Sequence, residues 1–99
     1  MTPILMRPAS PQDAEGIADV HLAARREAMP YLPEIHSDDE TRAWVAQVVL
    51  PTQTVWIMES GERVVGVAAL DGDMLEQLYV RPGEQGRGVG SQLLAKVKL

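Results

Sequence analysis

The sequence contains no cysteine, which excludes a disulfide scaffold, a thiolate metal site and a cysteine nucleophile. It has no phenylalanine, so aliphatic side chains, methionine and two tryptophans must fill the interior. No apolar run approaches the roughly 18 residues that a membrane-spanning helix needs, and the N-terminus lacks the apolar stretch of a signal peptide. These absences predict a cytoplasmic protein with no membrane partner.

What is present fits one small domain. The chain has 99 residues, of which 45% are hydrophobic, enough for a modest core and more than a disordered chain would carry. The net charge of −5 argues against a nucleic acid as the main partner, because nucleic acids are bound by basic surfaces. The two histidines, His21 and His36, have no ligand spacing, so no metal site is predicted.

Two helices are predicted in the first half of the chain, after a short strand at residues 4–7. Ser10 as N-cap, followed by a proline and by Asp13, predicts a helix that runs to about Ala28. The capping box of Ser37 and Glu40 begins a second helix, and Pro51 is expected to stop it. The predicted apolar faces comprise Ala14, Ile17, Ala18, His21 and Leu22 in the first helix, and Trp44, Val45, Val48 and Val49 in the second.

Three strands follow at residues 54–59, 63–70 and 74–80, joined by turns at residues 60–62 and at Asp71-Gly72. They predict an antiparallel meander, after which residues 81–90 form a loop with four glycines and Ser91 begins a helix. The order strand, two helices, three strands and helix is an α+β fold. Because a strand, loop and helix normally lead into a parallel strand, the single domain of residues 1–99 is expected to be incomplete at its C-terminal end.

The glycine-rich loop is predicted to bind an anion, since backbone N–H groups and the helix dipole point at a ligand there. A Walker-type P-loop is excluded because Gly90-Ser91-Gln92 contains no lysine. A Rossmann fingerprint is excluded because Gly86, Gly88 and Gly90 are spaced G-x-G-x-G and not G-x-G-x-x-G.

The pattern that fits is V-x-P-x-x-Q-G-x-G-x-G, which runs from Val80 through Pro82 to Gly90. It resembles the coenzyme-A signature of the GNAT N-acetyltransferase superfamily, and the element order of the whole chain is similar to the first two-thirds of a GNAT domain. The resemblance implies a GNAT-like (acyl-CoA N-acyltransferase) fold, with acetyl-CoA as co-substrate and no metal.

The same resemblance implies how the coenzyme is held. The loop's backbone N–H groups would bind the pyrophosphate, with Arg87 adding a charge, and the backbone of the preceding strand would pair with the pantetheine arm. One strand N–H would polarise the thioester carbonyl, an oxyanion-hole role. The implied coenzyme-binding residues are Leu78, Tyr79, Val80, Gln85, Gly86, Arg87, Gly88, Val89, Gly90 and Ser91. A plain strand-turn-helix junction is the alternative.

Glu76 is the candidate catalytic base, because it lies two residues before Leu78 on the same strand face and GNAT enzymes often carry a carboxylate nearby. The alternative interpretation, an exposed strand carboxylate without a catalytic role, is equally open. Tyr31 and His36 lie in the connector that often lines the acceptor pocket of GNAT domains, with a solvated loop as the alternative. His21 is interpreted as a packing or surface residue, and Trp44 and Trp56 as core residues.

The implied reaction is acetyl transfer from acetyl-CoA to an amine by direct attack in a ternary complex, since no cysteine can carry an acyl intermediate. The alternative is a non-catalytic CoA-binding or self-associating fragment of such a domain. A homodimer is expected, through the unpaired edge of strand 74–80 or the open face of the last helix. The acceptor, a small-molecule or peptide amine, is left open.

Overall fold

A four-stranded antiparallel sheet forms the centre of the molecule. The computed structural model describes residues 3–28, 37–84 and 88–97. The sheet runs in the spatial order β1-β2-β3-β4, and each neighbouring pair is antiparallel. The strands are β1 (Ile4–Pro8), β2 (Thr54–Ser60), β3 (Arg63–Asp71) and β4 (Met74–Val80). The predicted α+β class and antiparallel meander are confirmed.

The helices lie on both faces of this sheet. A 3₁₀ turn at Pro11–Asp13 leads into α1 (Ala14–Ala28), and α2 (Asp38–Trp44) continues as a π-helical turn (Val45–Val49) and a short helix α3 (Leu50–Thr52), while α4 (Val89–Val97) follows the sheet. The two predicted starts are confirmed: Asp13 accepts the Ser10 N–H at 2.7 Å, and Ser37 and Glu40 cap each other reciprocally at 3.1 Å. Within the described residues, no helix has the length and apolarity needed to cross a membrane.

The prediction that Pro51 stops the second helix is wrong. Helical structure continues through it to Thr52, because the turn before it widens and the Leu50 N–H donates to the Val45 carbonyl five residues back. A proline ring normally clashes with the carbonyl four residues earlier. The wider π turn relieves that contact and lets the helix accept Pro51 near its end.

Only part of the predicted apolar face of this second helix is buried. Val45 and Val49 are each 1% exposed, whereas Val48 is 44% and Trp44 is 36% exposed. The interpretation of Trp44 as a core residue is therefore wrong, since a narrow face of the helix meets the sheet and Trp44 lies beside it. Trp56 is partly buried against the core, with the Lys96 ammonium 4.5 Å from its ring.

The core has two halves, one on each face of the sheet. One lies under α1 and the π turn, and the other lies under α4. Glycines let both helices approach the central strand β3 closely: a Cβ on Gly16 of α1 would lie 2.8 Å from Cγ2 of Val64, and one on Gly66 would lie 2.5 Å from Cγ1 of Val89 in α4. The sheet therefore fixes where α4 begins.

Both hairpins close with a two-residue loop whose first residue is glycine. Ser60 pairs with Arg63 and Asp71 with Met74, leaving Gly61 and Gly72 at φ of 65° and 60°. A positive φ at the first loop position is the requirement of a type II′ turn. The two predicted turns are confirmed.

Candidate functional site

The edge strand β4 carries a β-bulge at Glu76. The register with β3 steps from Ala69 opposite Gln77 to Leu70 opposite Leu75, so Glu76 is the extra residue. Leu75 therefore continues the sheet face that Leu78 occupies, and the prediction that Glu76 shares that face is wrong. Glu76 is exposed at a bulge of a strand that, among the described elements, pairs with β3 alone.

After the bulge, the side chains of β4 turn into the two halves of the core. Leu78 and Val80 pack toward α4, and Tyr79 packs toward α1. Because these side chains are engaged in packing, what residues 78–80 offer along the open edge is backbone N–H and C=O groups. Such an edge is suited to pairing with an extended ligand.

A tight turn leads the chain out of β4. The Glu84 N–H donates to the Arg81 carbonyl at 3.0 Å, and Gly83 has φ of 89°, which with Pro82 before it gives a type II turn. Arg81 fastens the turn to β3, since its N–H donates to the Val65 carbonyl at 2.8 Å and its Nε to the Val64 carbonyl at 3.0 Å. The predicted coenzyme-binding residues Gln85, Gly86 and Arg87 lie outside the described residues.

Gly88 is the residue immediately before α4. Gly88 has φ of 79°, and its carbonyl accepts the Gln92 N–H at 2.9 Å, which closes the first helical turn. The N–H groups of Val89, Gly90 and Ser91 precede that bond, so they have no partner within the helix. The start of α4 therefore presents backbone donors and the positive end of a helix dipole.

The glycines and the valine at this helix start have different roles. Of the described side chains, a Cβ on Gly88 would meet that of Gln92 alone, at 3.5 Å, whereas a Cβ on Gly90 would lie 3.4 Å from Cγ2 of Val80. Gly90 thus allows α4 to lie against β4, and Gly88 leaves open space. The Val89 side chain is 1% exposed, so Val89 can offer a ligand only its backbone.

A cavity of about 430 Å³ lies on the opposite face of the sheet from α4. It is lined by His21, Arg25, Glu40, Thr41 and Trp44. His21 connects this cavity to β4, because its ring centroid lies 4.6 Å from that of Tyr79 and 5.6 Å from that of Trp44. Tyr31 and His36, the residues predicted to line an acceptor pocket, lie outside the described residues.

Burial favours the neutral forms of His21 and Tyr79. It lowers the pKa of His21, and the positive charge of Arg25 lowers it further. Burial raises the pKa of Tyr79, against a smaller opposite effect of Arg25. Nδ1 of His21 is buried without a hydrogen-bond partner among the described residues, which leaves Nε2 as the imidazole nitrogen available to a ligand.

A second cavity, of about 700 Å³, lies between the sheet and the end of α4. Its lining is mainly apolar, with Trp56, Leu75 and Leu94, and its cation Lys96 already lies over Trp56. No group of three or more metal-ligating side chains occurs in the part of the chain that the structure describes. The open β4 edge, the α4 start and the smaller cavity are the features that can carry chemistry.

Comparisons with known proteins agree with this geometry. The family model of the acetyltransferase (GNAT) domain matches residues 51–99, which span β2, β3, β4 and α4. The fold matches a GCN5-related N-acetyltransferase from Rhodopseudomonas palustris with a TM-score of 0.74 and 25% identity, over 99% of this chain and 64% of that one. The chain therefore has the fold of the GNAT superfamily, and its second half matches the domain model of that family. No curated protein sequence matches it.

Two further GNAT-fold structures were solved with the coenzyme. One is the PaiA N-acetyltransferase from Thermoplasma acidophilum in complex with coenzyme A, with a TM-score of 0.74, 16% identity, and 97% and 70% of the two chains covered. The other is yncA from Salmonella typhimurium with its cofactor acetyl-CoA, with a TM-score of 0.67, 23% identity, and 97% and 61% covered. This chain thus spans about two-thirds of the length of the GNAT proteins it matches.

Among the described residues that line the cavity, none was predicted as a site residue from the sequence. A local signal does exist, because His21 and Arg25 are four apart in α1, and Thr41 and Trp44 are three apart in α2, so each pair shares a helix face. What the sequence does not contain is the packing of α1 against α2, which brings the two faces together around one space.

Proposed function

We propose that this GNAT-fold chain binds acetyl-CoA and transfers its acetyl group to an amine. The observation that carries the proposal is the path of backbone groups that the open edge of β4 and the start of α4 form together, since these two elements meet at Val80 and Gly90. It is supported by the acetyltransferase family model and by the coenzyme A and acetyl-CoA in two structures of the same fold.

In the proposed complex the coenzyme lies along this path. Backbone groups of Leu78, Tyr79 and Val80 pair with the pantetheine arm as an added strand would. The pyrophosphate is bound by N–H groups of Gly88, Val89, Gly90 and Ser91, together with the loop residues Gln85, Gly86 and Arg87, because phosphates bind helix N-termini. One N–H of β4 polarises the thioester carbonyl.

The proposed reaction is direct attack in a ternary complex, since the chain has no cysteine to hold an acyl group. The amine nitrogen bonds to the carbonyl carbon as the C–S bond breaks, and coenzyme A leaves as the thiolate. A base removes the proton that the nitrogen loses. Glu76 stays the predicted base, and its position at the β4 bulge, two residues before Leu78, is compatible with that role.

The proposal is tested by titrating the chain calorimetrically with acetyl-CoA and by assaying thiol release over a panel of amines. Binding together with amine-dependent release of coenzyme A is the expected result. Binding without release by any amine would favour the non-catalytic CoA-binding alternative. Absence of binding would contradict the assignment of both the β4 edge and the α4 start.

We further propose that the chain self-associates through the beginning of β4, at Met74 and Leu75, so that residues 78–80 stay available to the coenzyme. The strand exposes Met74 at 67% and Leu75 at 36% beside an edge that pairs with no other described strand. Unpaired apolar edges recruit other chains, and a second copy would bury both side chains. A cytoplasmic location stays a prediction from the sequence.

A further inference from the structure

Arg25 stands apart from the other partly buried arginines of the described chain. Arg7 and Arg42 form ion pairs with acidic side chains at 2.8–2.9 Å, and Arg81 donates to a backbone carbonyl. Arg25 forms no hydrogen bond or ion pair within the described residues, although it lines the cavity. A guanidinium presents five donors that match a carboxylate, so an arginine left unpaired in a cavity indicates an anionic ligand.

His21 adds a second donor to the same wall. It lies four residues before Arg25 in α1, and side chains at this spacing are neighbours on one helix face. In the part of the chain that the structure describes, its Nδ1 is buried without a hydrogen-bond partner, and a proton there would be an unsatisfied buried donor. The proton is therefore favoured on Nε2, which makes Nε2–H a donor toward a ligand.

Residues of α2 form the opposite wall of the cavity, which adds polar and aromatic groups to the site. Thr41 contributes a hydroxyl and Trp44 a partly exposed ring. Glu40 also lines the cavity, but its carboxylate accepts the Ser37 N–H as part of the helix cap. The negative charge of Glu40 places a ligand carboxylate on the α1 side, against Arg25.

We propose that this cavity binds the acetyl acceptor, and that the acceptor is an amine carrying a carboxylate and an apolar or aromatic group, the class of the apolar amino acids. Arg25 and His21 bind the carboxylate, and Trp44 contacts the apolar group. The inference rests on the proposed acetyl transfer, because it takes the Tyr79 region of β4 as the place where the thioester lies.

The position of the cavity separates the proposed site for the acceptor carboxylate from the proposed site for the coenzyme phosphates. The donors proposed for the pyrophosphate lie at the start of α4, which packs on one face of the sheet. The cavity lies at α1 and α2 on the other face, and it reaches β4 through the contact of His21 with Tyr79. An acceptor bound there approaches the β4 edge from the side opposite the pyrophosphate.

The test compares matched pairs of amines that differ only in the carboxylate. L-phenylalanine is set against 2-phenylethylamine, and L-leucine against 3-methylbutylamine, in the thiol-release assay. We expect kcat/KM to favour the amino acid of each pair by at least about tenfold, as a hydrogen bond to a charged group implies. Arg25→Gln should abolish this preference and leave acetyl-CoA binding unchanged, and the control Arg63→Gln, an exposed arginine of β3, should retain it.

A second readout does not depend on turnover. Addition of L-phenylalanine should shift the NMR signals of the His21 imidazole, assigned with His21→Gln, whereas 2-phenylethylamine should shift them little. Arg25→Gln should remove the difference between the two ligands. This readout decides the inference if the chain binds acetyl-CoA but releases no thiol with any amine, a result that would contradict only the proposed catalysis.

Three results would overturn the inference while the acetyltransferase proposal stands. The first is equal use of both members of each pair. The second is a preference for the amino acid that survives Arg25→Gln, and the third is faster turnover of amines lacking a carboxylate. If no amine is turned over, His21 signals that respond equally to both ligands, or to neither, would overturn it.

Discussion

A methyl group on Gly66 would lie 2.5 Å from Cγ1 of Val89. This contact joins the middle of the central strand to the first turn of α4, the turn whose N–H groups are proposed to bind the pyrophosphate. The position of the proposed coenzyme site thus depends on the absence of a side chain in β3.

We predict that Gly66→Ala destabilises the fold and weakens acetyl-CoA binding. The added Cβ would also lie 2.9 Å from Leu93, so α4 must move, at a cost of about 1–3 kcal/mol in the free energy of unfolding. Urea unfolding and calorimetric titration measure the two effects. Gly16→Ala is the control, since it introduces a 2.8 Å contact with Val64 on the other face and should leave coenzyme affinity intact.

The role of Gly88 is tested in the same way. Its φ of 79° is unfavourable for a residue with a Cβ by about 1–2 kcal/mol, and a side chain there projects into the space proposed for the phosphates. We predict that Gly88→Val abolishes acetyl-CoA binding and keeps most of the helical circular dichroism. Gly72→Val carries a similar strain, at φ of 60°, in a distant hairpin, and should bind normally. Unchanged affinity of Gly88→Val would contradict the loop assignment.

Local signals in the sequence predicted more of the structure than long-range ones did. The capping pair of Ser37 and Glu40 and the hairpin glycine Gly72 act within a few residues, so the helix start and the turn could be predicted. The β4 bulge at Glu76 depends on how β3 and β4 pair, and the passage of the helix through Pro51 depends on the π turn that precedes it. Gly66 gives no local signal, because its role appears only where α4 crosses β3.

The same difference between local and long-range signals applies to the candidate site. The glycine pattern before α4 was readable because neighbouring residues carry it. The cavity at His21 and Arg25 was not, since it needs α2 to pack against α1 and an arginine to remain without a partner among the described residues. An arginine without such a partner can be recognised only when the partners of the other arginines are known.

The pKa of His21 is predicted to lie below its ordinary value of 6.5, chiefly because of burial and secondly because of Arg25. An NMR titration of the imidazole should therefore show a midpoint under that of an exposed histidine. Arg25→Gln should raise the midpoint, and Arg63→Gln should not. His21 takes up a proton more readily in the unfolded chain than in the folded one. Its protonation should therefore lower the free energy of unfolding as the pH falls below about 6.5. A midpoint at or above the ordinary value would contradict the burial of this ring.

Asp13 links β1, β2 and the start of α1. Arg7 donates to its carboxylate at 2.8 and 2.9 Å and also to Glu59 of β2. The bonds from Arg7 to Asp13, and secondly that from the Ser10 N–H, hold the pKa of Asp13 below its usual range. We predict that Asp13→Asn lowers the free energy of unfolding at pH 7 by about 1–2 kcal/mol.

The same hydrogen bonds determine in which direction the stability of the fold changes with pH. Above the pKa of an aspartate in the unfolded chain, Asp13 contributes fully to the free energy of unfolding. This contribution is lost as the pH falls through the pKa of Asp13 in the folded chain, which is lower. Urea unfolding in the acid range should therefore show a shallower loss of stability in Asp13→Asn than in the wild type. Asp73→Asn, in the exposed turn before β4, is the control that should keep the wild-type slope.

Met74 tests the proposed self-association. Its side chain is 67% exposed at the start of the open β4 edge, and a lysine there would place like charges against each other in a pair of chains and hydrate the edge. We predict that Met74→Lys raises the dissociation constant of the dimer at least about tenfold, measured by light scattering over a concentration series. Leu5→Lys, which changes a side chain 60% exposed on the opposite edge strand β1, should leave the dimer intact. A wild-type chain that stays monomeric at high concentration would contradict the proposal, and equal effects of both lysines would place the interface away from β4.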